Sequence, residues 1–345
     1  MTLHLFNPSH DEALASNHAT YCPSKAARTM AAALAHLPRY WAAEGDLVVE
    51  LPATQAVDHL APLPWDDIAR IEPWGWDRQV VALLRRMGAP GRLLPTPEQL
   101  DRWRALSSRH TTVQLLEWLN AQPLPAGVLR GESRWCTTLA EVEAALGAWP
   151  QVMVKLPWSC SGRGVFPYGG ALDRLTRLRV EKAFREQGAV EIQQRHERLA
   201  DWALEFDVAP TGEVRYLGPG GFVTGDGGKY LGQRVGTCDQ LESALIAEWH
   251  SACSTLLPTA SDVRASLRHL ITLLTDGLAR LIASHYVGPL GVDLLLTPAG
   301  LHPCLEINLR RTMGHVALAI AACHSDATRP HAFQLSPRGL EFVTS

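Results

Sequence analysis

The stretch GVDLLLTPAGLHPCLEINLRR, residues 291–311, constrains the fold more tightly than any other part of the chain. Two apolar runs flank TPAG, a turn signal, so the segment reads as an antiparallel hairpin. Side chains two apart on a strand share a face. Pairing Thr297 with Gly300 puts Val292, Leu294 and Leu296 on one face with Pro303, Leu305, Ile307 and Leu309, all apolar. Asp293 falls on the other face with His302, Cys304, Glu306, Asn308 and Arg310. A slip of one residue would mix the faces, so the pattern selects this register. It gathers oxygen donors from Asp293, Glu306 and Asn308, with a guanidinium just beyond. Carboxylate and carboxamide oxygens suit a hard cation such as Mg²⁺, usually alongside substrate phosphates. Arg310 can neutralise or clamp an anion. Taken alone, such a face is an ordinary solvent-exposed side of a sheet. Its meaning depends on what else the chain carries.

A second element lies upstream, in VMVKLPWSCSGRGVF. Lys155 ends an apolar strand, and Gly162, Arg163 and Gly164 follow in the next loop. Small residues let backbone N–H groups approach phosphate oxygens, and a lysine supplies the opposing charge. The loop is not a Walker A motif, because the lysine precedes the glycines and a strand follows rather than a helix. No GxGxxG fingerprint is present. Standing alone, this loop is a plain glycine-containing turn.

Around these two elements the chain alternates strand and helix signals up to about residue 95. LHLF, DLVVELP and IARIE read as strands. KAARTMAAALAHL, capped by Ser24 and stopped at Pro38, TQAVDHL and DRQVVALLRRM read as helices. This order predicts a parallel α/β layer. A helix is expected over 98–120 behind a Thr96–Gln99 capping box, and another behind Thr138 and Glu141. QVMVK, VFPY, AVEIQQ and WALEFDVAP follow as strands, with a helix near 171–187. Residues 218–236 are glycine-rich and read as a loop, and 262–284 as a long amphipathic helix.

At 345 residues, the chain is long enough for two or three domains. With 46% hydrophobic and 19% charged residues it can bury a large core. A net charge of -3 offers no general basic field for nucleic acid. The seven cysteines are scattered and form no CxxC pair, which fits reduced thiols rather than a disulfide framework or a zinc site. MTLHLFNPSHDE lacks the basic start and apolar run of a signal peptide. VALAIAAC is too short to span a bilayer. A cytoplasmic location without a membrane partner is the expectation.

KLPWSCSGRGV, AVEIQQRHERLADWALEFDV and GPLGVDLLLTPAGLHPCLEINLR, in that order and spacing, resemble the ATP-grasp superfamily over about residues 98–320. The opening words NPSHDEALAS resemble those of some bacterial ATP-grasp-like proteins, which implies no activity. The resemblance implies an α/β chain. An N-terminal parallel α/β domain (1–97) would precede an ATP-grasp fold of two α+β subdomains (98–190 and 191–345). It implies ATP and Mg²⁺, or Mn²⁺ in its place, as cofactors. Lys155 would bind the α- and β-phosphates, and the loop 159–164, with Ser161, Gly162 and Gly164, would close over them. Arg109 would be the second phosphate-binding base, where the family more often has lysine. Gln193, or Glu191 with the frame shifted, would contact adenine where the family usually places glutamate. Glu197 or Glu205 would hold the ribose. Asp293, Glu306 and Asn308 would bind the metal, and Arg310 the transferred phosphate. The implied activity is a ligase joining a small-molecule or peptide carboxylate to an amine through an acylphosphate, releasing ADP and phosphate. Phosphotransfer without ligation stays open, as does a nucleotide-binding protein with weakened catalysis, which the departures at Arg109 and Gln193 motivate. Asn7, His10 and Asp11 either line an acceptor site or form a capped βα loop. Lys229 and Arg234 either touch an anionic substrate or are simply solvated.

Overall fold

The computed structural model describes residues 1–54, 56–57, 61–159, 164–225, 228–326, 328–336 and 338–343. The N-terminal segment forms the expected parallel layer. β1 (Thr2–Leu5), β2 (Leu47–Val49) and β3 (Arg70–Pro73) make a sheet in the order β2–β1–β3. α1 (His10–Ser16), α2 (Lys25–Ala33) and α3 (Arg78–Arg86) accompany it. The Ser24 hydroxyl caps α2 by accepting from the Ala27 N–H. That helix ends at Ala33, and Pro38 instead belongs to a separate 3₁₀ turn, Leu37–Tyr40. Most of the helix expected at TQAVDHL lies outside the described residues, and Ala56 and Val57 are irregular.

A buried carboxylate holds the loop after β1. Asp77 caps α3 by accepting from the Val80 N–H at 2.8 Å. Its other oxygen meets His10 Nδ1 at 3.0 Å and Asn7 Nδ2 at 3.2 Å. Asn7 also donates to the Gly75 carbonyl. Gly75 admits the imidazole closely, since a Cβ there would stand 2.6 Å from the His10 ring.

The stretch expected as one helix over 98–120 is two, α4 (Pro97–Leu106) and α5 (Arg109–Asn120). The break has a local cause: Ser108 is extended, and its hydroxyl caps α5 by accepting from the His110 N–H. Arg109 therefore opens a helix. The Thr96–Gln99 capping box forms as expected, and so does Thr138–Glu141 ahead of α6 (Leu139–Ala148).

β4 (Ser133–Cys136), β5 (Val152–Lys155), β6 (Val165–Tyr168) and β7 (Val190–Gln194) build an antiparallel sheet in the order β4–β7–β5–β6. α6 and α7 (Arg174–Gln187) pack on it over Val142, Val152, Val154, Val180 and Ile192. A larger sheet follows, with β8 (Ala200–Val208), β9 (Val214–Thr224), β10 (Tyr230–Arg234), β11 (Gly288–Thr297), β12 (Gly300–Asn308), β13 (Ala332–Ser336) and β14 (Gly339–Val343). Its order is β12–β11–β8–β9–β10–β13–β14, antiparallel throughout. α8 (Cys238–Cys253), α9 (Ala260–Leu278) and α5 cover one face over Trp202, Leu204, Phe206, Trp249, Leu270 and Leu274. α10 (Met313–Cys323) packs on the other side, where Val316, Ala317 and Ile320 meet Phe6, Trp74 and Phe333. The VALAIAAC run is thus the body of a buried helix. Among the described residues no helix is long and apolar enough to cross a membrane, and the six described cysteines are free thiols.

Residues 218–236, expected as a loop, are mostly the β9–β10 hairpin. Its glycines mark close packing rather than looseness. A Cβ at Gly220 would stand 2.8 Å from Gln233 Nε2 and 3.2 Å from the Gly314 Cα of α10.

The β11–β12 hairpin keeps the expected pairing from Thr297–Gly300 to Leu295–His302. The register then shifts, and Asp293 stands opposite Glu306. Pro303, which has no N–H for the ladder, lies within the shifted stretch. The slip is two residues, an even number, so each side chain keeps the face assigned from the sequence. Both faces are nevertheless covered: His302 and Cys304, on the polar side, are wholly buried.

Replacing Asp77 by Ala removes a helix cap and strands His10 and Asn7. The expected loss is about 2–4 kcal/mol of unfolding free energy by urea titration. A loss under about 1 kcal/mol would mean the carboxylate does not anchor this loop.

Candidate active site

The four-stranded sheet contributes the positive charge. Lys155 ends β5 directly opposite Glu191 of β7. It is 6% exposed, and its Nζ donates to Gln193 Oε1 at 2.7 Å and to the Leu305 carbonyl at 2.8 Å. Leu305 lies in the shifted part of β12, so the lysine bridges the two sheets. Arg109, 4% exposed, donates to the Leu156 carbonyl, to Ser159 Oγ and to Glu306 Oε2, each at 2.7 Å. Glu191 lies between the two cations, with Oε2 3.7 Å from Lys155 and 3.8 Å from Arg109. Its other oxygen accepts from Ser133 Oγ at 2.6 Å.

The seven-stranded sheet contributes the negative charge. Asp293 and Glu306 face each other across β11–β12, and Glu205 stands on the same side of the adjacent β8. Burial pushes the Asp293 carboxyl up to about 8, with Glu306 and Glu205 adding to the rise and Arg310 and Asn308 opposing it. Arg310 Nη2 donates to Asn308 Oδ1 at 3.0 Å and to Asp11 Oδ2 at 2.8 Å, and its Nε also donates to Asp11. Burial works against ionisation of Asp11, yet Arg310 holds its carboxyl below the usual range. Glu205 accepts from Thr312 Oγ1 at 2.8 Å and lies 3.0 Å from His315 Nδ1. Gly291 and Gly314 leave room for it, as a Cβ on either would strike its carboxylate.

Lys155, Arg109, Asp293, Glu306, Asn308 and Arg310, drawn from distant parts of the sequence, therefore come together. Gly164 stands by the same seam with a left-handed φ of 76°, and its carbonyl accepts from the Leu156 N–H. Ser161 and Gly162 lie outside the described residues. The side-chain oxygen of Gln193 is taken by Lys155, leaving its Nε2 without a partner, so the residue serves the lysine rather than offering a free acceptor. Glu205 stands among the carboxylates, while Glu197 is exposed on the loop after β7. Asn7 and His10 are absorbed by Gly75 and Asp77, and of that loop Asp11 reaches Arg310. Arg234 points to the helix-covered face, where it pairs with Glu248 and stacks over Trp202.

Some roles at the site carry no sequence signal of their own. Glu191 is the shared counter-charge of Lys155 and Arg109. His302, wholly buried near His196, is driven down to about 3 by burial, then by His196 and Lys155, and its Nε2 has no partner. Gln233 looks onto the carboxylates from β10, as the shared neighbourhood of Gly220 shows. Only the assembled sheets reveal these roles.

A cleft of about 1300 Å³ opens over Glu205, Asp293, Glu306, Asn308 and Arg310, with Lys229 on its wall. Among the described residues no group of three or more His, Cys, Asp or Glu is arranged to hold a metal ion as it stands. Glu306 is tied to Arg109 and Asn308 to Arg310.

No protein-family model matches the sequence, and no curated protein matches it. Solved structures do match. Pyruvate carboxylase from Rhizobium etli, in its T882A form with acetyl coenzyme-A, aligns over 94% of this chain and 28% of its own, at 14% identity and a TM-score of 0.50. Biotin carboxylase from Campylobacter jejuni aligns over 74% of this chain at 13% identity and a TM-score of 0.46, and the chain spans about half, 51%, of that protein's length. A D-cycloserine synthetase aligns over 94% of this chain and 99% of its own, at 15% identity and a TM-score of 0.46. At such identities the likeness is one of fold. With a small antiparallel sheet set against a large one behind a parallel N-terminal layer, the chain has the ATP-grasp fold.

Proposed function

We propose that the chain is an ATP-dependent ligase that joins a carboxylate to an amine through an acylphosphate, with Mg-ATP taken between its two antiparallel sheets. The observation that carries this reading is the seam itself. Two buried cations on one sheet, Lys155 and Arg109, face an Asp293–Glu306–Asn308 edge on the other, and Arg310 stands at the end of that edge.

The donor set fits a hard cation. Two carboxylates and an amide oxygen suit Mg²⁺, which keeps waters and shares its shell with phosphates rather than needing an all-protein cage. Burial raises Asp293 first, and the neighbouring Glu306 and Glu205 that add to the rise mark negative charge that a divalent ion would offset. When bound, Mg²⁺, or Mn²⁺ in its place, supplies charge neutralisation for the phosphate oxygens.

The chain's own residues do the rest. Lys155 and Arg109 hold the α- and β-phosphates, exchanging Gln193, the Leu305 carbonyl and Glu306 for phosphate oxygens. Ser159, already on Arg109, and Gly164 stand at the two ends of the loop that carries Ser161 and Gly162, the further residues proposed for phosphate binding. Arg310, held by Asp11, orients the γ-phosphoryl group. A substrate carboxylate oxygen attacks the γ-phosphorus and ADP leaves. An amine then attacks the acyl carbon, phosphate leaves, and the amine gives up its proton. Positioning and charge account for catalysis, without a covalent protein nucleophile.

Mg-ATP at a hundred times its Kd should stabilise the fold by about 2.7 kcal/mol, seen as a raised Tm. Turnover should release ADP and phosphate, stop on metal chelation, and fall at least about 100-fold in Lys155→Ala and in Asn308→Ala. AMP and pyrophosphate as products would overturn the acylphosphate route. A stable phosphorylated product without amine dependence would instead identify a phosphotransferase.

A stability measurement isolates the seam from turnover. Lys155→Met leaves Glu191 buried beside Arg109 alone and should cost about 3–5 kcal/mol in urea unfolding. Adding Glu191→Gln should recover at least about 1 kcal/mol of that loss. Simple additivity of the two changes would show that the residues do not interact.

A further inference from the structure

We infer that the acid accepted by this site is amphipathic: a carboxylate on an extended apolar body, not a small polar acid. The chemistry at the cleft floor rests on the ligase reading, whereas the binding argument does not. At about 1300 Å³ the cleft exceeds the ~300–1,000 Å³ usual for small-molecule pockets. Its floor holds the proposed metal and γ-phosphate residues Asp293, Glu306, Asn308 and Arg310, and it does not reach Lys155 or Gln193, so the rest of its volume lies beyond the γ-phosphate end, on the acceptor side.

Apolar side chains from several segments line it, three of them at its open walls. α2 supplies Met30, the β9–β10 hairpin supplies Phe222 and Leu231, and β13 supplies Leu335. None of the nine residues of α2 is buried, and Leu231 is 39% exposed. Apolar side chains converging on one open cleft gain most from an apolar occupant, since the gain grows with the area taken from water.

The polar groups give that occupant a sign. Gln233 lines the cleft at 3% exposure; its Oε1 accepts from the Tyr230 hydroxyl, and its Nε2 has no partner. A buried amide donor without an acceptor is satisfied by a carboxylate or carbonyl oxygen. Lys25 and Lys229 also line the cleft, and neither has an ion-pair partner among the described residues. Asp11, Glu205, Asp293 and Glu306 make the floor of the cleft negative, whereas the two ammonium groups and the orphan donor on the wall above favour an anion there.

The test is a thermal-shift titration of the full chain with Mg-ADP and straight-chain acids from acetate to octanoate, repeated with the matching primary amines. Affinity for the acids should rise roughly fourfold per methylene, and the amines should bind more weakly at every length. Leu231→Asp should flatten the length dependence, while Gln233→Leu should weaken all acids by a similar factor and keep the slope. Both variants must melt like the parent without ligand. If Mg-ADP stabilises the chain but acid affinity does not grow with length, or no acid binds, the inference falls while the nucleotide reading stands. If the acids show the gradient but neither Mg-ADP nor Mg-ATP binds, the ligase reading falls and the amphipathic cleft stands.

Discussion

Two buried cations sharing one buried carboxylate set the terms for the rest of the molecule. A lone buried ammonium or guanidinium would lose several kcal/mol of hydration with nothing in return. Lys155 and Arg109 avoid that with Glu191 between them and Glu306 across the seam. The balance is met within the protein, so an entering anion must exchange partners rather than fill a vacancy. Such exchange can be quick and selective, because the cations are already desolvated and aimed.

The shift in the β11–β12 ladder shows how backbone detail serves that balance. Had the pairing run on unbroken, Asp293 would face Cys304. The two-residue slip brings it to Glu306 and leaves the Leu305 carbonyl where Lys155 reaches it. A one-residue slip would have sent the carboxylates into the apolar core. Pro303, lacking an N–H, makes the interruption cheap at that point.

Much of this was legible in the sequence, wherever side chains obey a short period. Alternation along residues 291–310 marked the carboxylate face, although not its register beyond Leu295. Ser24, Thr96 and Thr138 announced helix starts because capping is local chemistry. The glycines of 218–236 misled, because close packing and loop freedom use the same residue and only the partner, here Gly314 and α10, tells them apart. Asn7 and His10 looked available because Asp77, their anchor, lies about seventy positions downstream. Arg234 and Gln233 are neighbours in sequence but face opposite sides of the sheet. Long-range partners leave no trace in local pattern.

The bond between Asp11 and Arg310 joins positions 299 apart, and that between Arg109 and Glu306 joins positions 197 apart. Contacts of that separation close late, because loop entropy must be met before they return anything. The four-stranded sheet needs only residues between 133 and 194 and can settle first. Lys155 and Glu191, neighbours within it, would then find each other while Arg109 and the carboxylates of the late hairpin are still unplaced. During synthesis the chain thus carries Lys155 already paired within its own sheet. The centre acquires its full set of charges only when the β11–β12 hairpin and Arg310 fold back onto Arg109, Lys155 and Asp11.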